Sequence, residues 1–264
     1  MGAVGGAGTG EVAAKGAGAR WLRNWHPRPG AAVNLVCLPH AGGSAGFYRG
    51  WPDLLPAEID FHAVQYPGRE DRFAETPFSG MAELADAITG AIRPLFDKDV
   101  VLFGHSMGAS VAWEVAGRCE AESLMPRLLL LSGRSAPLRR PVGTPARRPR
   151  TDDEIVAEIR GFSTAGSTAL DDPDLRELLL PMIRADYRLV EEYRPEQPRP
   201  VRAPIAVLHG RDDTEVTPEG ASAWREFTTA LCTDHVFEGG HFYLREHERP
   251  VLSTVSALVA RALR

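Results

Sequence analysis

Residues 100–109 read VVLFGHSMGA. The apolar run predicts a short buried strand over Val100 to Phe103, and Met107 to about Arg118, with Val111 and Val115 on one side, predicts a helix. Between them stands Gly104-His105-Ser106-Met107-Gly108. A Gly-x-Ser-x-Gly turn between strand and helix holds its serine in a strained conformation, and the flanking glycines let strand and helix pass close to it. The hydroxyl then projects beyond the carboxyl end of the strand, at the foot of the helix dipole. The five-residue pattern alone is weak, and a plain glycine-rich connection competes with it. Strand before and helix after make it specific, so Ser106 is the candidate nucleophile.

Outward from this turn, apolar runs alternate with amphipathic stretches. Ala32 to Leu38 (AVNLVCL) has the nearly continuous apolar character of a buried parallel strand, and Phe61 to Val64 is a weaker strand. Ser79 is placed to cap a helix from Gly80 to about Phe96. Strands are predicted at Arg127 to Leu131, Pro204 to Leu208 and Asp234 to Phe237, a helix start at Thr217-Pro218-Glu219, and a closing helix over Val251 to Leu263. Such alternation implies an α/β protein with a mostly parallel sheet covered on both faces. Between Ser135 and Pro204 no strand is expected. A Pro- and Arg-rich opening (PLRRPVGTPARRPR) leads into helical pieces at Asp153 to Phe162, Pro173 to Leu179 and Pro181 to Tyr193. This insertion, about residues 136–203, reads as a helical lid over the carboxyl edge of the sheet. A separate domain is disfavoured, because the core strands resume after it.

Serine is a poor nucleophile at neutral pH and needs a base, which in turn needs an orienting acid. In this architecture the chain order is Ser, then Asp or Glu, then His. His241 follows the strand-and-turn DHVFEGG, whose Gly239 and Gly240 permit the loop to fold back toward Ser106; it is the candidate base. His105 lies inside the turn, His235 in a strand and His247 at a helix start, so they fit less well. After PIAVLHG come Arg211, Asp212 and Asp213. Asp213 is favoured as the acid because one residue more clears the strand end, and Asp212 stays open as the alternative. Acyl transfer also requires two amide donors for the tetrahedral oxyanion. One is the N–H of Met107; the other falls in the loop Pro39-His40-Ala41-Gly42-Gly43-Ser44, with Ala41 preferred. That loop matches neither Rossmann nor P-loop spacing, which argues against a phosphate cradle.

The chain has 264 residues, and thirty basic against thirty-five acidic side chains give a net charge of −5. With 44% hydrophobic and 25% charged residues, collagen-like, coiled-coil and strongly disordered readings are excluded. Mild acidity gives no whole-chain attraction to nucleic acid or to an anionic membrane. The longest apolar runs, such as Leu128 to Leu131, fall far below the roughly 20 residues a membrane helix needs. Residues 1–20, with seven Gly and six Ala, read as a flexible tail ahead of one domain over residues 21–264. They lack the apolar core of a signal peptide, and Gly6 stands where a myristoylation signal wants Ser or Thr. Cys37, Cys119 and Cys232 form neither a zinc spacing nor a CxxC, which fits buried thiols in a reducing cytoplasm.

Taken together, PHAGGS at the first loop, QYPGRE at Gln65 to Glu70, GHSMGA at the turn, LLPMIRAD in the insertion and GGHFYL at the histidine resemble the type II thioesterases of polyketide and nonribosomal peptide synthesis. The resemblance runs from about Asn34 to the C-terminus. It implies the α/β-hydrolase fold and hydrolysis of acyl thioesters on the phosphopantetheine arm of carrier proteins, clearing stalled or wrongly primed synthases. It also implies Ser106 as nucleophile, Asp213 as acid, His241 as base, and Ala41 and Met107 as oxyanion amides. No metal or organic cofactor is called for, and a monomer is the expected state.

Two further features bear on substrates. Arg134, Arg139, Arg140, Arg147, Arg148 and Arg150 cluster near the start of the insertion, as a positive rim for acidic carrier proteins or as a solvated Arg/Pro-rich loop. Met182 and Tyr187 suit an acyl channel or, on helical spacing alone, helix-packing core. The competing functions are a general carboxylesterase or lipase on the same triad, and a non-catalytic hydrolase-like binding module. A complete Ser-Asp-His set argues against the module.

Overall fold

The structure is a computed structural model that describes residues 20–137, 148–162, 168–195 and 199–264. Seven strands form one sheet: β1 (Leu22–Arg23), β2 (Val33–Leu38), β3 (Ile59–Val64), β4 (Asp99–His105), β5 (Leu128–Ser132), β6 (Ile205–Gly210) and β7 (Cys232–Phe237). Their order is β1-β3-β2-β4-β5-β6-β7, and every neighbouring pair is parallel except β1 with β3. The helices are α1 (Met81–Ile92), α2 (Met107–Ala121), α3 (Asp152–Phe162), α4 (Pro173–Glu192), α5 (Pro218–Ser222), α6 (Tyr243–Glu246) and α7 (Glu248–Ala262).

Period-two alternation divides the core between the two faces of the sheet. Val36 and Leu38 of β2, with Val100 and Leu102 of β4, join Leu84 and Ile88 of α1 and Val111 and Val115 of α2. Val33, Leu35, Cys37, Val101 and Phe103 point the other way, onto Val251, Leu252, Val255 and Val259 of α7. Coverage on both sides explains why β2 is buried at all six positions while the edge strand β7 alternates half-buried and exposed residues.

Three local expectations need correction. The first helix has Gly80, not Ser79, at its N-cap with no side-chain cap bond, and its α-helical part ends at Ile92 before a 3₁₀ turn over Arg93–Asp97. Pro94 has no N–H to continue the i→i−4 ladder, so the pitch changes there. The two helical pieces expected either side of Pro181 are one helix, α4. Asp172 caps it by accepting from the amides of Asp174 and Leu175, and buried Leu180, Met182, Ile183 and Leu189 hold it across the lost bond. Strand β1, two residues long, offers no pattern to read. The glycine-rich opening segment, residues 1–19, lies outside the described residues, as do Arg139, Arg140 and Arg147.

Sheet order fixes where ligands can reach. The chain passes from β2 outward to β3 and then crosses back to β4 on the other side of β2. The loops leaving β2 and β4 therefore diverge, and the crevice between such loops is where open α/β sheets bind ligands. The helices α3 and α4, inserted between β5 and β6, pack against this crevice through Met182 and Ile183, which cluster with Ala41 of the β2 loop.

Candidate active site

At the end of β4, Ser106 adopts φ 54° and ψ −115°, a backbone conformation that a serine rarely takes. Two close approaches explain the flanking glycines. A Cβ on Gly104 would lie 2.1 Å from the Gly108 carbonyl oxygen, and one on Gly108 would lie 2.1 Å from that of Leu38. The turn is tied down because the Ser106 amide donates to the Ser132 carbonyl at 2.8 Å, linking β4 to β5.

The loop after β6 presents Asp213, and the loop after β7 presents His241. His241 Nδ1 lies 2.9 Å from Asp213 Oδ2, with both side chains buried. The second carboxylate oxygen of Asp213 accepts the Glu215 amide at 2.9 Å, which fixes its plane. Asp212 stays exposed; its amide donates to the Gly239 carbonyl at 3.0 Å, and Arg211 pairs with Glu238 instead. Close contact between the two loops needs Gly210, where a Cβ would lie 2.3 Å from the Gly240 oxygen. Phe162, at the end of α3, lies over the His241 ring with centroids 4.6 Å apart.

Ser106, Ala41 and His241 line one cavity of 520 Å³. Among the described residues, the amides of Ala41 and Met107 donate no intramolecular hydrogen bond, whereas Gly42 N–H goes to Asp186 and Gly43 N–H to the His40 carbonyl. Ile159, Phe162, Leu179, Met182, Ile183 and Val190 of the insertion give the cavity an apolar wall. Met182 and Tyr187 line it and also pack in the cluster between α3 and α4, so the channel and core readings both describe them.

Several neighbours of the site are not singled out as individual residues by the sequence. Arg69, from the YPGR segment, forms a buried two-point pair with Asp186 of α4, at 2.7 and 2.9 Å. Arg69 also donates to the Gly43 carbonyl at 2.8 Å, and Asp186 accepts Gly42 N–H at 2.8 Å, so the pair grips the β2 loop. His105 Nδ1 lies 2.9 Å from Ser132 Oγ, which in turn lies 2.7 Å from Tyr243 Oη. Of the arginine cluster, Arg148 bonds Glu154, Arg150 pairs with Glu158 and Glu191, and Arg134 lines the cavity. None of these three stands as a free outward cation of a docking rim.

Burial keeps the two histidines nearest His241 neutral. Enclosure first, then the proximity of His241, pulls His40 down to about 3. Enclosure likewise holds His105 well below the usual histidine range. With His241 as the candidate base, protonating it would remove the acceptor for the Ser106 proton, and activity is expected to fall as pH drops. The log of kcat/KM is expected to fall with a slope of one on the acid side. A slope of two would require a second titrating histidine.

A strained serine at the sheet's switch point, with a buried Asp–His pair on neighbouring loops, defines an α/β-hydrolase. Comparison with known proteins narrows this. The thioesterase domain family matches residues 33–259. The chain is 41% identical over 247 residues to a probable cadicidin biosynthesis thioesterase of Streptomyces griseus, covering 93% of this chain and 66% of that protein. It is 36% identical to Thioesterase PikA5 of Streptomyces venezuelae, covering 89% and 84% respectively. The solved structure of the type II thioesterase BorB, from the borrelidin biosynthetic cluster, superposes with a TM-score of 0.80 at 42% identity, covering 92% of this chain and 98% of BorB. This chain belongs to the thioesterase family: it is a thioester hydrolase, and the proteins it resembles include type II thioesterases of the borrelidin cluster and of the yersiniabactin NRPS/PKS pathway.

Proposed function

We propose that this enzyme hydrolyses acyl thioesters held on the phosphopantetheine arm of carrier proteins, clearing misprimed or stalled synthases. One observation carries the reading: Ser106, Ala41 and His241 line a single cavity roofed by the insertion, with Asp213 hydrogen-bonded behind the histidine. Ser106 Oγ attacks the thioester carbonyl while His241 Nε2 takes its proton, and Asp213 holds the ring and offsets its charge. The intermediate's oxygen is received by the amides of Ala41 and Met107, neither of which is spent elsewhere among the described residues. The C–S bond then breaks and the thiol leaves with the proton from His241. Water, deprotonated by His241, attacks the acyl-serine and releases the free acid. A thiolate leaves more readily than an alkoxide, so departure of sulfur demands less of the histidine.

On this reading α3 and α4 act as a lid, about residues 136–203 of a domain that runs from residue 21 onward. Three free thiols, two buried and one half-buried, suit a reducing cytoplasm, and one chain forms the working unit. No helix among the described residues is long and apolar enough to cross a membrane.

The test compares an acyl-phosphopantetheinyl carrier protein with an oxygen ester of the same acyl group. The carrier thioester is expected to turn over at least about tenfold faster in kcat/KM, followed by release of free carrier thiol. Preference for the oxygen ester would instead identify a general carboxylesterase.

A further inference from the structure

Arg134 is two residues past β5 and lines the active-site cavity. Its backbone is fixed, because Trp224 Nε1 donates to its carbonyl at 2.8 Å. Among the described residues its guanidinium makes no hydrogen bond or ion pair. The side chain is half-buried at the cavity wall, and the surrounding protein lowers its pKa, with Glu215 acting through space as the main opposing charge. Its neighbour Arg150 shows what a satisfied arginine looks like on the same wall. Arg150 Nε lies 2.8 Å from Glu158 and its Nη1 2.7 Å from Glu191, with the Tyr187 ring beneath. A half-buried guanidinium with five donors and no protein acceptor among the described residues keeps those donors available to a ligand in the cavity. Because the group stands in the wall of the substrate cavity, the ligand is the acyl chain.

Charge decides what kind of oxygen the chain brings. The cavity wall carries Arg134, Arg150 and Arg245 against Glu158, Glu215 and Glu246, which is neutral in sum. An acyl carboxylate would have to approach Glu215 and Glu158 as well as Arg134, and repulsion offsets the gain. A neutral hydroxyl or ketone meets no such opposition; it accepts from Arg134, and a hydroxyl can also donate to Glu215. The phosphate of the pantetheine arm is a poor occupant for the same reason, and it sits at the end of the arm away from the reacting carbonyl.

We infer that Arg134 selects acyl chains bearing a hydroxyl or keto oxygen over plain alkyl chains and over chains ending in a carboxylate. This rests on the thioesterase reading above and specifies its substrate class.

N-acetylcysteamine thioesters of matched length test it, since they carry no phosphate. The panel holds alkyl chains, hydroxy and keto chains with the oxygen at successive carbons, and ω-carboxy chains. At least one hydroxy or keto position is expected to exceed the matched alkyl chain in kcat/KM by about 10–100-fold, the range of one hydrogen bond to a charged group. In Arg134→Met, similar in length and without donors, that ratio is expected to fall toward one. Arg134→Gln, which keeps a donor, is expected to retain part of it and serves if the Met variant does not fold. Alkyl hydrolysis with no oxygen preference, an unchanged ratio in both variants, or preference for ω-carboxy chains each overturns the inference alone. Failure to hydrolyse any thioester overturns the functional reading and this inference with it.

Discussion

Replacing Ser106 with alanine is expected to abolish release of thiol from acyl thioesters, a loss on the order of 10⁶ in kcat. The magnitude follows from the division of labour in the proposed mechanism. Without the hydroxyl there is no acyl-enzyme, and the Asp213–His241 pair can only assist direct attack by water. The free amides of Ala41 and Met107 would still receive an oxyanion, so a residual rate above the uncatalysed one is expected. Folding should be unaffected, because Ser106 is anchored through its amide and carbonyl, bonded to Ser132 and Ala109, and alanine keeps both. Thermal unfolding within about 2 °C of the parent, combined with loss of labelling by a fluorophosphonate probe, would separate lost chemistry from lost structure. Near-parental hydrolysis by a folded Ser106→Ala protein would refute the assignment.

What the sequence reveals about this site is set by distance along the chain. Ser106 announces itself because its constraints are local: two glycines within two residues, a buried strand before and a helix after. The loops of Asp213 and His241 are marked by Gly210, Gly239 and Gly240, whose missing side chains let two main chains touch. Counting residues past the strand end favours Asp213 over Asp212, and the carboxylate of Asp213 lies 2.9 Å from His241 Nδ1. That count works because β6 runs to Gly210 in register with β7, so position beyond the strand translates into position in space.

Contacts that depend on the insertion are a different matter. Arg69 and Asp186 are 117 residues apart, and although each lies in a recognisable motif, nothing in either stretch says that the two pair with one another. Phe162 reaches the His241 ring only because α3 is folded back over the crevice, and helical spacing cannot say which face meets what. Pro181 reads as a break, yet tertiary packing on both sides overrides its local cost. That Arg134 has no partner among the described residues is visible only once those residues are in place. The sheet and the Gly-x-Ser-x-Gly turn were legible because short-range backbone chemistry dictates them; the insertion's grip on the β2 loop and the cavity's charged wall were not.

That grip carries the second large prediction. Asp186 lies on α4, while Arg69, Gly42 and Gly43 belong to loops of the sheet domain, so one carboxylate joins the insertion to the loop that bears Ala41. Asp186→Ala leaves a guanidinium that is only 5% exposed without its counter-charge, and it orphans the Gly42 amide. Breaking a buried pair in this one-sided way costs about 3–5 kcal/mol, because the remaining charge cannot return to water. For a chain of this size that corresponds to a fall in Tm on the order of 10 °C. Removing a surface pair such as Arg93 with Glu122, half-exposed at both ends, should cost less than about 1 kcal/mol and provides the control. Catalysis should suffer as well. With Gly42 released, the Ala41 amide loses its fixed direction, and a lost oxyanion donor is worth on the order of 10² in kcat. The expected signature at a temperature where the variant is folded is therefore a lowered kcat with KM for a small thioester nearly unchanged. Were Asp186 merely a lid anchor, KM would rise and kcat would hold; were the pair dispensable, Tm would move no more than in the surface control.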